Sequence, residues 1–246
     1  MKVIVLCPVY NSADTLPMWM EAIEKLEPKP DEVVFAENNS TDATLSLINN
    51  WKFPHKLIRI WVKDKPSKNP YLVMAHVREL LRTYVKNSDC NYAIFLDSDV
   101  LPLDIDFITR ITRNGEDLMG GAYMRMFTSG LGVAAYFKAL EGSKFKYRLV
   151  KAVRTEVHKA VAVGGGCVCL SKWILLDDKV KFFPMLRGDI AEDFGYCIRA
   201  SKRGWAVYLD ASLDILHLDT TGKIKPWTVN LDGSNREWSY ERNTTE

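Results

Sequence analysis

The sequence predicts an α/β domain organised around a central, mostly parallel sheet, and two observations carry that prediction. Apolar runs of strand length alternate with amphipathic helical stretches through roughly the first hundred residues, the order that calls for parallel strands joined by helical crossovers. Acidic and asparagine-rich segments recur where those runs stop, as expected at the carboxyl edge of such a sheet, where ligands collect.

Each element follows from its local pattern. Residues 3–6 are unbroken apolar, as a strand covered on both faces would be. Residues 15–26 place Leu16, Met20, Ile23 and Leu26 on one helical face, and Pro28 and Pro30 end that helix. Residues 32–36 form a second strand. Ser40-Thr41-Asp42 then opens a helix in which Leu45 and Ile48 share a face, with Ser40 as the expected cap. Residues 56–62 read as a third strand and residues 71–85 as a longer amphipathic helix, leading to the strand 92–99, whose apolar residues 93–96 give way to Asp97 and Asp99. The second half is less regular. Strand-like pieces fall at 118–126, 133–137, 161–170 and 205–209, and a helix over 192–202 stops at Gly204, a natural left-handed terminator. Residues 142–159 have no readable period. The expected organisation is one domain, residues 1–219, followed by a polar tail, 220–246, that acts as a lid or frays.

Composition narrows the class. A chain of 246 residues can bury a substantial core, and 47% hydrophobic with 26% charged residues is ordinary for a soluble globular protein. A formal charge of +2 makes no global case for nucleic acid or membrane. Lys138, Lys144, Lys146, Arg148, Lys151, Arg154 and Lys159 do cluster with Phe145 and Tyr147; a solvated face and an anionic-partner surface both stay open. The first apolar run is too short for a signal peptide, and no segment is long enough to span a bilayer. Five cysteines without framework spacing suggest a reducing compartment, so a cytoplasmic location is expected, with peripheral membrane attachment left open. Cys167 and Cys169 read as small core residues.

The chemistry starts from Leu96-Asp97-Ser98-Asp99. If the strand continues through it, Asp97 and Asp99 point the same way and aim at one spot past its end. Two such carboxylates suit a hard divalent cation that takes substrate phosphates as further ligands, although a strand end and a turn cap would need the same residues. Four other segments are expected on that edge: Cys7-Pro8-Val9-Tyr10-Asn11, Glu37-Asn38-Asn39-Ser40-Thr41-Asp42, Asp189-Ile190-Ala191-Glu192-Asp193-Phe194, and Asp214-Ile215-Leu216-His217.

As a set these motifs resemble the GT-A glycosyltransferases, specifically the family 2-like group that moves sugars from nucleotide donors. The resemblance runs from Val3 to His217. It implies the GT-A (Rossmann-like, nucleotide-diphospho-sugar transferase) fold. It implies a donor site of Pro8, Val9, Tyr10, Asn11, Glu37, Arg78, Asp97 and Ser98. Gly165 and Gly166 of the Gly164-Gly165-Gly166 run would let the backbone approach donor sugar or acceptor. Asp99 would bind the metal directly, Asp97 would contact ribose or reach the metal through a water, and His217 would be the third protein ligand. Carboxylate with imidazole leans toward Mn²⁺ over Mg²⁺. The family commonly has Asp-Asp-Gly-Ser-x-Asp after its second strand, where this chain has Glu37-Asn38-Asn39-Ser40-Thr41-Asp42. Asp193 matches the base of inverting members, and Glu192 would bind acceptor or orient the site; the same two acids also suit the first turn of a helix.

The implied partner is a nucleoside-diphosphate sugar, UDP first and GDP second, a hexosyl donor being expected. The acceptor is a carbohydrate, a glycoconjugate or, given the basic cluster, a nucleic acid. A non-catalytic nucleotide-sugar or carbohydrate-binding module is the alternative. Lys63, Lys65 and Lys68 around Pro66 are further candidates for phosphate contact. A dinucleotide dehydrogenase and a P-loop enzyme are excluded by their missing glycine motifs. A nucleotide-sugar pyrophosphorylase is excluded because Pro8-Val9-Tyr10-Asn11 contains no glycine.

Overall fold

A computed structural model describes residues 1–59, 70–127, 130–133, 135–136, 157–183 and 191–218. Its first half alternates as expected: β1 (Val3–Val9), α1 (Leu16–Glu24), β2 (Glu32–Glu37), α2 (Thr44–Asn50), β3 (His55–Arg59), α3 (Pro70–Lys86) and β4 (Tyr92–Leu96). After β5 (Val100–Pro102), α4 (Phe107–Thr112) and β6 (Leu118–Gly121) come short strands: β7 (Met124–Phe127), β8 (Gly130–Val133), β9 (Ala135–Tyr136), β10 (Val157–Ala160) and β11 (Ala162–Val163). The chain continues with β12 (Cys167–Ser171), α5 (Lys172–Leu176), α6 (Glu192–Lys202), β13 (Val207–Asp210) and β14 (Ile215–His217).

One eight-stranded sheet runs in the order β10-β13-β6-β12-β4-β1-β2-β3. The pairs β3–β2, β2–β1, β1–β4 and β13–β6 are parallel. β12 enters antiparallel to both β4 and β6, and β10 closes one edge antiparallel to β13. Successive residues of the central strands face opposite sides. Ile4, Leu6, Val34, Ala36, Ala93 and Phe95 pack with α3, α5 and α6 through Val77, Leu81, Ile174 and Tyr196. Val3, Val5, Val33, Phe35, Ile94 and Leu96 pack on the other face against Leu16, Trp19 and Ile23 of α1, Ile48 of α2 and Phe107 of α4. Helices thus cover both faces, which is why the central strands read as continuous apolar runs. Cys167 and Cys169 are buried in the second of these layers.

Several expectations are corrected. The run 118–126 is two strands: the chain leaves the main sheet after Gly121, and β7 pairs with β8. The run 161–170 is interrupted by the glycines, β11 pairing with β9 and β12 with β4. The strand expected over 92–99 stops at Leu96, so Asp97 and Asp99 belong to a turn closed by Val100 N–H donating to the Asp97 carbonyl at 2.9 Å. Ser40 does not cap α2, which begins four residues later at Thr44. Its hydroxyl instead accepts the Asn11 N–H at 3.0 Å, while Asp42 takes the N–H groups of Thr44 and Ala13. The stop at Gly204 holds, with φ +88°. Residues 60–69, which include the end of the third expected strand and Lys63, Lys65 and Lys68, lie outside the described residues. So do most of the basic cluster, Asp189, Ile190 and the tail. Among the described residues no helix is long and apolar enough to cross a membrane.

Candidate active site

Parallel pairing sets the edge on which the site forms. Val9 lies opposite Glu37, and Glu37 opposite Arg59, so β1, β2 and β3 end together. Of the first segment, Pro8 and Val9 are buried within β1. Tyr10, 59% exposed, and Asn11 reach the surface. Asn11 has φ 48° and accepts the Thr41 N–H on Oδ1 at 2.8 Å, tying the two strand-end loops together. Glu37 is buried. Its Oε1 takes the Ser40 N–H and its Oε2 lies 3.6 Å from Arg59 Nε, so this carboxylate shapes the loop after β2. Ser98 is buried too, its hydroxyl donating to Ser12 Oγ at 2.9 Å, and the Ser12 N–H donates to Thr44 Oγ1 at 2.7 Å.

Asp97 and Asp99 diverge. Asp97 points to α3, where Arg78 Nη2 donates to both of its oxygens at 2.9 Å. Asp99 turns to His217, with Nε2 to Oδ2 at 3.4 Å. His217 arrives there because β14 pairs antiparallel with β5, setting His217 opposite Val100; the Leu218 N–H also donates to the Asp99 carbonyl at 2.7 Å. β14 is therefore outside the main sheet. Adjacent ligand atoms around a small octahedral dication sit ~3 Å apart, so Asp99 Oδ2 and His217 Nε2 have the separation of neighbouring ligands. Among the described residues no group of three or more His, Cys, Asp or Glu side chains is arranged around one point. Of the three residues expected near a metal, Asp99 and His217 lie side by side, while Asp97 is held by Arg78.

The two carboxyls of α6 are separated by environment. Glu192 is buried and its Oε1 accepts from Arg78 Nε at 3.2 Å. Burial pushes its carboxyl up to about 7, the neighbouring Asp193 charge adds to the rise, and Arg78 opposes it. Burial likewise raises Asp97, with Arg78 opposing and Asp99 adding. Asp193 Oδ2 accepts the Gly165 N–H at 2.8 Å, and its Oδ1 accepts the Phe194 N–H at 2.7 Å.

The turn at Gly165 and Gly166 joins these groups. Gly166 accepts the Asp97 N–H on its carbonyl at 2.9 Å and gives its own N–H to Tyr123 Oη at 3.0 Å. A Cβ on Gly166 would meet Tyr123 Oη at 2.6 Å. Tyr123 is a residue that sequence reasoning missed. Buried, with its hydroxyl pKa driven well up by that burial, it has its ring 5.5 Å from that of His217. Nothing in the local pattern marks it, since it follows β6 in an irregular stretch. Arg78 was expected to face the donor. It is 3% exposed, with Asp97, Glu192 and the Gly165 carbonyl accepting from its guanidinium.

Comparison with known proteins gives this arrangement its context. Solved structures with the same fold include A197 from STIV (17% identity, TM-score 0.53, covering 89% of this chain and 86% of that one). TarS 1–349 of S. aureus also matches (17% identity, TM-score 0.55, 85% of this chain and 58% of that one). So does the mannosyltransferase PcManGT of Pyrobaculum calidifontis (16% identity, TM-score 0.52, 85% and 56%). The chain therefore spans little more than half of the last two. No curated protein sequence matches it. The family model for glycosyl transferase family 2 matches residues 4–158, from β1 into β10. With that match over most of its length, and a fold shared with GT-A glycosyltransferases, the chain belongs to glycosyl transferase family 2.

Proposed function

We propose that this protein transfers a sugar from a nucleoside-diphosphate donor to an acceptor hydroxyl with inversion, Asp193 being the base. The observation that carries the reading is the glycine turn, whose two peptide units hydrogen-bond to Asp97 on one side and Asp193 on the other. A nucleotide-side carboxylate and a candidate base thus share one rigid mount. In the reaction the acceptor oxygen attacks the anomeric carbon as the bond from that carbon to the diphosphate oxygen breaks. The hydroxyl proton passes to Asp193.

Asp99 and His217 would hold a divalent cation, Mn²⁺ or Mg²⁺, which when bound supplies charge stabilisation to the departing diphosphate. Two protein ligands leave positions for phosphate oxygens and water, the usual way such ions are held at nucleotide sites. Tyr10 and Asn11 flank the place where the base would lie, and Glu37 keeps the loop beside it in shape. TarS has been solved with UDP and with UDP-GlcNAc, and PcManGT with GDP-Man and Mn²⁺, which favours these two nucleotides as donors here. The domain is residues 1–219, the acceptor a carbohydrate or glycoconjugate, and the location cytoplasmic.

A screen of UDP-, GDP- and dTDP-sugars with Mn²⁺, reading release of nucleoside diphosphate, tests the reading. Metal-dependent release from one donor class is expected. Binding of donor without any release would leave a nucleotide-sugar-binding module as the function.

A further inference from the structure

Arg78 lies on α3, outside the segments that the proposed chemistry uses, yet its side chain joins two of their turns and the start of α6. Its Nη2 donates to both oxygens of Asp97 at 2.9 Å, its Nε to Glu192 Oε1 at 3.2 Å, and its Nη1 to the Gly165 carbonyl at 2.9 Å. The N–H of the same Gly165 holds Asp193 Oδ2 at 2.8 Å. A guanidinium presents its donors in a fixed planar fork. Whatever satisfies all three acceptors therefore fixes the first turn of α6 relative to the Asp97–Asp99 turn.

We propose that Arg78 is a positioning residue that sets the distance between the donor-phosphate end of the site and Asp193, touching neither donor nor acceptor. This rests on the reading of Asp193 as base and deepens it. Two observations separate the role from donor contact and from a plain core brace. At 3% exposure, with each of its three nitrogens donating to a protein acceptor, the guanidinium is enclosed by protein groups and turned from the solvent-facing rim where a phosphate would lie. The backbone between it and the base also has no slack. A Cβ on Gly165 would stand 3.0 Å from both Arg78 Cζ and Asp193 Cβ. Stability alone would not require this arrangement, because buried ionic networks are often replaceable by apolar residues without loss.

Two variants test it. Arg78→Lys keeps the charge and loses the fork. Gly165→Ala keeps Arg78 and wedges a methyl group between it and Asp193. Turnover is read as nucleoside diphosphate release from UDP-glucose, UDP-GlcNAc and GDP-mannose with Mn²⁺, water serving as acceptor. Affinity for the matching nucleoside diphosphate with Mn²⁺ is read by calorimetry. Misplacing a reacting group by about 1 Å typically lowers rate by roughly 10²-fold, so both variants should lose about that much turnover at unchanged nucleotide affinity. Normal turnover in the variants, or affinity lost in step with turnover, overturns the proposal. Should Arg78→Lys fail to fold, Gly165→Ala decides alone. Asp193→Asn in the same assay separates the two levels. If it turns over normally, the base reading falls. If it is inactive while both other variants are normal, only the positioning role falls. Absence of turnover by the unaltered protein with all three donors overturns both.

Discussion

From β1 to β4 the chain makes a parallel layer in which each strand lies beside one reached by a helical crossover, and the order β3-β2-β1-β4 follows from local pattern. Beyond β5 the strands find their places by pairing at long range: β12 with β4, β13 with β6, and β14 with β5. The first half is a scaffold with candidate nucleotide contacts along its rim. The second brings His217, the glycine turn and Asp193 to that rim from separate strands and a helix. The strand order of the first half is thus set by local pattern, whereas the proposed base and the histidine partner of Asp99 arrive with the second.

The sharpest way to break that division is in the scaffold. Phe35 is fully buried on β2, with its ring 5.6 Å from Trp19 and 5.7 Å from Trp51. Phe35→Ala should destabilise the protein by about 3–5 kcal/mol, read as a lowered urea midpoint, because the cavity cannot collapse between sheet and α1. Asp193→Asn should do the reverse. Turnover falls by about 10²-fold or more while the urea midpoint and nucleotide affinity hold. Next comes Asp99→Ala, which should weaken Mn²⁺-dependent nucleotide binding by roughly 10- to 100-fold and leave metal-free binding alone. Calorimetry with and without the ion checks it. The smallest effect sharpens the comparison by staying away from both core and site. Gly204→Ala meets no steric neighbour and suffers only from φ +88°, so about 1 kcal/mol of stability and no activity should be lost.

What could be read from the sequence divides the same way. β1, β2, β4, α1 and α3 were legible because strands covered on both faces are apolar throughout and the helices carry one apolar stripe. The carboxyl-edge location of Asp97 followed from this. The divergence of Asp97 and Asp99 did not, since it depends on β4 ending at Leu96 and on Arg78 waiting on α3. Ser40 shows the limit at small scale. Its residue type suits a cap, yet its hydroxyl serves Asn11 across the gap to the neighbouring loop. The splitting of residues 118–126 and 161–170 was likewise hidden, because glycines permit a departure from the sheet without requiring one. Tyr123 became visible only once Gly166 was seen to donate to it.

The insertion of β12 has a consequence for biosynthesis. This strand occupies the middle of the sheet, between β4 and β6, although both of those are translated before it. A nascent chain that has emerged only through β6 therefore presents unpaired inner edges on β4 and on both sides of β6, lined with apolar residues. Such edges recruit strands from other chains as readily as from their own. Slow translation ahead of Cys167 should raise the share of chains lost to aggregation, whereas a pause after Ser171, with the central strand already made and only the β13 side of β6 still open, should cost less.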